Sequence, residues 1–138
     1  MRYRTGMLSL ALISIIGCTD HGDPVLPEGT PQKVSFGTDI QPIFNTSCAR
    51  VGCHVQPAPT GGLDLGAGVS YAGLVGITSQ NYAPAVRIVA GDPTLSVLYG
   101  KVSNTGQFNG LMPPIGAALT AQQIDLIRAW ILEGAADN

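Results

Sequence analysis

Apolar positions fall in a pattern that separates a short apolar block near the start from a series of brief amphipathic segments, with Gly- and Pro-rich stretches between them. The best defined segment runs from Thr120 to Gly134. Ile124, Ile127, Trp130 and Ile131 recur at helical spacing and predict a helix with one buried stripe. Thr120 and Gln123 have the spacing of a capping box, and Gly134 stands where a helix stops. Residues 135–138 are expected to fray. Phe36 to Cys48 predicts a second short helix. Thr38 or Asp39 is its expected cap, Pro42 falls in its first turn, and Ile40, Ile43 and Phe44 form an apolar face that suits the C-terminal stripe.

Between these ends the pattern is weaker. Asp92-Pro93 is a cap followed by a favoured first helical residue, and Leu95, Leu98, Tyr99 and Val102 then share a face. Ser70 to Val75 reads as a single helical turn capped by Ser70. Val55 to Leu65 and Ser103 to Gly110 read as loops, the first forced by Pro57, Pro59 and the Gly61-Gly62 pair.

The apolar block, Met7 to Ile16, follows Arg2 and Arg4. It is shorter than the roughly 20 apolar residues that span a bilayer, and it fits a signal-peptide core. It ends Ile15-Ile16-Gly17-Cys18, which resembles the bacterial lipobox. That resemblance implies cleavage after Gly17, lipidation of Cys18 and a membrane anchor there. Thr19 after the cysteine implies the outer membrane by the usual sorting rule. The plainer alternative is an ordinary signal peptide with a stray cysteine. The expected organisation is a signal peptide at 1–17, a tether at 18–35 with no helical or alternating pattern, and a folded domain at 36–138.

Composition sharpens the picture. Aromatic residues are 6% and charged residues 12%, with 18 Gly and 10 Pro. A chain so poor in large side chains needs a disulfide, a metal or an apolar cofactor to complete its core. After loss of the signal segment, five basic residues (Lys33, Arg50, Arg87, Lys101, Arg128) face nine acidic ones, a net charge near −4. Such a surface is a poor match for nucleic acid and a better one for a basic docking patch on a protein partner.

The candidate chemistry lies in Cys48-Ala-Arg-Val-Gly-Cys53-His54. Two thiols followed at once by a histidine suit covalent attachment of haem c, with thioethers from Cys48 and Cys53 and His54 beneath the iron. The usual form of this signal has two residues between the cysteines, and here there are four. Met112 is the only methionine left after the signal segment, and it sits between Gly110 and two prolines. A sulfur held in a stiff loop suits an axial ligand, so His54 and Met112 are the expected ligands of one iron. Arg87, alone in an apolar segment, is a candidate partner for a haem propionate, with a solvated surface arginine as the alternative. His21, in the tether, is the other histidine and the reserve ligand. Three rival readings stay open. One is a haem-free surface lipoprotein with a Cys48–Cys53 disulfide, which export permits. Another is a zinc site on Cys48, Cys53 and His54, whose fourth donor would have to be His21 in the tether or an acidic residue. The third is a haem-bearing sensor or subunit of a larger dehydrogenase.

Taken in order, Asp39-Ile-Gln-Pro-Ile-Phe44, Gly61-Gly-Leu-Asp-Leu65, Gly91-Asp-Pro-Thr-Leu-Ser-Val-Leu98, Met112-Pro-Pro-Ile-Gly116 and Trp130-Ile-Leu-Glu-Gly-Ala135 resemble the small bacterial class I c-type cytochrome domains. The resemblance covers about residues 36–136. It implies an all-α, cytochrome c-like helical domain, with N- and C-terminal helices crossing and long Gly/Pro-rich loops around one covalent haem c. It also implies single-electron transfer between redox partners in the cell envelope, without enzymatic turnover of its own.

Overall fold

Ser35 opens the folded chain. Its hydroxyl accepts the Thr38 amide at 3.3 Å, and its own amide donates to the Asp39 carboxylate at 2.8 Å. The cap is therefore Ser35, with Asp39 answering from inside the turn, and neither Thr38 nor Asp39 is the capping residue. A computed structural model describes residues 33–138, which lie within the unit Pro31–Asn138. The signal segment, the tether as far as residue 32, the lipidation candidate Cys18 and the reserve ligand His21 lie outside the described residues.

The first turn, Phe36–Ile40, is wide and π-type, and α1 (Gln41–Ser47) continues from it with Pro42 at its start. Phe36, Ile40, Ile43 and Phe44 are all buried. They meet α3 (Ala121–Leu132), whose Ile127, Trp130 and Ile131 are buried with Ile124 packed beside them. The Phe36 ring lies 5.2 Å from the Trp130 ring and 5.2 Å from that of Tyr71. The Thr120–Gln123 capping box is present in both directions, at 3.2 and 2.9 Å. Gly134 has φ 99°, which ends the helix at little steric cost.

The tail does not fray. Asn138 accepts the Gly37 amide at 2.9 Å and the Ser35 hydroxyl at 2.8 Å through its main-chain oxygen, and its side-chain oxygen accepts the Phe36 amide at 2.9 Å. The Trp130 indole donates to Ala136 O and the Tyr71 hydroxyl to Ala135 O. The unpaired amides at the start of the first helix are thus satisfied by the end of the chain.

The middle helix starts later than its cap pattern predicts. Asp92 Oδ1 accepts from Thr94 N, Thr94 Oγ1 and Leu95 N, but it closes a separate turn. Ser96 is extended at φ −89°, ψ 117°, and it bridges to Val86. Its hydroxyl accepts Val89 N and donates to Asp92 O. That geometry delays α2 to Val97–Val102 and leaves Leu95 55% exposed, while Leu98 and Val102 join the core. Ser70 precedes a 3-10 turn, Tyr71–Gly73, without capping it, because its hydroxyl donates to Gln41 Oε1 instead.

The all-α expectation is corrected here. The α-helices hold 7, 6 and 12 residues, and most of the described chain between them is turn and loop. Residues 74–98 are tied by isolated β-bridges, Val75 to Ile88, Thr78 to Val86, Val86 to Ser96 and Val89 to Asp92. The physical reason is the Gly and Pro content of the connecting stretches, which keeps helix from extending through them and leaves the backbone to pair across loops. The described residues do not make a plain cytochrome c fold.

Candidate functional site

Helix α1 delivers Cys48 at its C-terminus, where Cys48 N donates to Phe44 O at 2.9 Å. The chain then curls around the Cys48 carbonyl, which accepts both Arg50 N at 2.9 Å and His54 N at 3.3 Å. Cys53 N donates to Arg50 O at 2.8 Å inside that curl. The four-residue gap is thus folded back on itself, and it brings Cys48, Cys53 and His54 onto one small loop. Arg50 braces the curl by donating to Thr46 O through Nη2 at 2.7 Å.

The His54 ring is oriented by the next stretch of chain. Leu65 N donates to His54 O at 2.8 Å, and His54 Nδ1 lies 3.1 Å from Leu63 O. A carbonyl oxygen only accepts, so Nδ1 carries the proton and Nε2 keeps its lone pair in the neutral ring. The 63–65 stretch is anchored in turn by buried Gln41, whose Nε2 donates to Leu65 O at 3.1 Å and whose Oε1 accepts from Ser70.

Two open clefts meet here, of ≈ 120 and ≈ 350 Å³, and Cys48, His54, Thr60 and Met112 line both. The first has an apolar wall that includes Leu63, Leu65, Leu98 and Val102, and polar lining groups that include Ser79, Arg87 and Lys101. The second adds Cys53 and the Met112–Gly116 turn. Cys48, His54 and Met112 thus line the same two clefts, with Cys53 in the second and Arg87 in the first.

Cys48 and Cys53 are both free and half-buried. Burial pushes the Cys48 thiol up from 9.0 to about 11; Arg50 opposes that shift and Cys53 adds to it. At neutral pH Cys48 is a protonated thiol, poorly suited to act as a thiolate nucleophile or metal ligand. Among the described residues, no group of three or more His, Cys, Asp or Glu is placed to hold a metal ion, which leaves the zinc reading without a donor set there.

Arg87 is 6% exposed, so it is not a solvated surface arginine. Its Nη1 donates to Gly73 O at 2.7 Å and its Nη2 to Gly61 O at 2.9 Å, and burial pulls its pKa down. The guanidinium is held by neutral carbonyls, which fixes a positive charge in the cleft wall with no carboxylate paired to it among the described residues. The bridges of residues 74–98 put it there, with Arg87 N donating to Ile77 O and Arg87 O accepting Leu98 N.

Four participants escape a reading of the sequence. The Leu63 carbonyl that sets the His54 tautomer is backbone and carries no side-chain signal. Gln41 looks like a polar helix position. Tyr82 and Lys101 lie 19 residues apart and meet at 3.2 Å only in the fold. Comparison of the chain with protein-family models, with curated proteins and with solved structures finds no match.

Proposed function

We propose that the chain is a mono-haem c-type cytochrome that carries single electrons in the cell envelope. The observation that supports this most is the His54 ring. Its Nδ1–H is committed to Leu63 O, which leaves Nε2 as a free neutral imidazole donor in a residue that shares its clefts with Cys48 and Met112. The apolar wall, the paired cysteines and the single sulfur of Met112 fit the chemistry of a covalent haem. Cys48 and Cys53 would hold it by thioethers, and His54 and Met112 would be its axial ligands. Arg87 would pair with a propionate. When bound, haem c supplies an iron centre that takes up and gives back one electron.

The roles of the chain follow from that assignment. Leu63 O keeps His54 in one tautomer and one orientation. The apolar wall would pack against the porphyrin. Ligation by both His54 and Met112 would leave the iron no free position, which favours a carrier over oxygen or peroxide chemistry, and would raise the potential relative to two imidazoles. The acidic mature chain fits a partner with a basic docking surface. The anchor would be a lipid on Cys18, with the outer membrane as the favoured site. The same haem site would also serve a subunit of a larger oxidoreductase.

The test is a visible spectrum of the chain expressed in a periplasm that matures haem c, taken before and after denaturation in alkaline pyridine. Haem that stays with the unfolded chain supports the reading, and its band position distinguishes one thioether from two. A colourless product from a host that matures a control cytochrome rejects it and turns attention to the Cys48–Cys53 disulfide, which a thiol count would then measure.

A further inference from the structure

Met112 ends a loop that α2 holds at several points, and the holding groups gather on Lys101. The Lys101 carbonyl accepts Met112 N–H at 3.0 Å. The Lys101 ammonium donates to the Asn109 carbonyl and, at 3.2 Å, to the Tyr82 hydroxyl. It also lies 5.5 Å from the centre of the Tyr82 ring. The Tyr82 hydroxyl donates onward to Asn109 O at 3.1 Å. The neighbouring Gly100 lets the loop come close, because a Cβ there would stand 2.6 Å from Phe108 Cδ2. Phe108 packs edge-on against Tyr82 at 5.2 Å and is buried in a loop that is otherwise mostly exposed. Tyr82, Lys101 and Met112 all line the same cleft.

We propose that Tyr82 and Lys101 form a latch that positions Met112, and that the latch sets how easily Met112 gives way to an external ligand. A loop without a regular hydrogen-bond ladder opens at low cost unless something ties it down. Here two side chains from distant parts of the chain converge on Asn109 O, three residues before Met112, while the backbone of Lys101 holds Met112 itself. Opening the loop breaks these bonds together. The geometry stands on the hydrogen bonds alone, and the consequence for ligand exchange rests on the haem reading. Tyr82 and Lys101 are positioning residues, since they act through Met112.

The experiment uses the full chain, ¹⁵N-labelled and matured in a haem c-competent host. Lys101→Met removes the ammonium and keeps most of the stem; Tyr82→Phe removes one oxygen and keeps the ring. Two quantities are read: hydrogen exchange at the Met112 amide, and the imidazole concentration that displaces Met112, followed by the sulfur-to-iron absorption band. Each variant is expected to speed Met112 amide exchange about ten-fold, the scale of one charge-assisted hydrogen bond, while Ile127 on α3 stays within about two-fold. The imidazole midpoint is expected to fall by a similar factor, and the double variant to show less than the product of the singles, because the groups share one network.

Met112 exchange within about two-fold of the parent in both singles overturns the latch. Faster exchange with an unmoved imidazole midpoint overturns its control of ligand access. A chain that carries no haem overturns the haem reading, and the amide measurement on that chain still decides the latch. If Lys101→Met does not fold, Tyr82→Phe carries the decision.

Discussion

His54 and Leu63 are nine residues apart, and Nδ1 of the first lies 3.1 Å from the main-chain oxygen of the second. That contact turns an ordinary histidine into one with a defined tautomer and a free Nε2, the form in which imidazole binds a metal. His54→Ala is therefore expected to abolish low-spin ligation in the matured chain without unfolding α3. Absorption and far-UV circular dichroism measure the two effects separately. An unchanged spectrum in the variant would remove His54 from the site.

Met112→Ala is expected to lower the reduction potential and open the sixth position, since a thioether favours the reduced iron. Potentiometry and imidazole binding report the change. If neither property moves, a different side chain is the distal ligand, and His21, outside the described residues, is the first to test.

The raised Cys48 thiol makes the haem-free chain sensitive to alkali. Its folded pKa of about 11 lies above the ordinary 9.0, so the neutral form is favoured by folding. The stability tied to this is fully present below pH 9 and is lost as pH rises through 11, up to about 2–3 kcal/mol. Unfolding free energies of the haem-free chain from urea titrations at pH 8 and pH 11 are expected to differ by about that amount. The difference should shrink in Cys48→Ala, and a parent-sized difference in that variant would assign the loss to other groups.

Removal of residues 136–138 tests the pinned tail. The deletion takes away the hydrogen bonds from Gly37, Ser35, Phe36 and the Trp130 indole. The expected loss is about 2–4 kcal/mol, read as a lower urea midpoint at an unchanged slope. A midpoint equal to that of the full chain would mean that these contacts contribute nothing in solution.

Local pattern alone determined the two ends of the folded region and the identity of the chemical groups. The α3 stripe and its Thr120–Gln123 box were legible because helix period and capping depend on residues three or four apart, and so was the apolar face of α1. The pairing of Cys48, Cys53 and His54 was legible because those residues are neighbours in sequence. Tertiary structure decided the rest, through contacts between residues far apart. Ser35 caps the Phe36–Ile40 turn that leads into α1, and Asn138 reaches back to complete that end. The Ser96–Val86 bridge delays α2, overriding the Asp92-Pro93 signal. The expected helical class gave way to loops and bridges because Gly and Pro positions mark where helices stop but not what the freed backbone pairs with. Arg87 is buried rather than solvated because Gly73 and Gly61 offer their carbonyls to it. A backbone carbonyl has no letter in the sequence, so neither that burial nor the Leu63 contact to His54 could be read before the chain was folded.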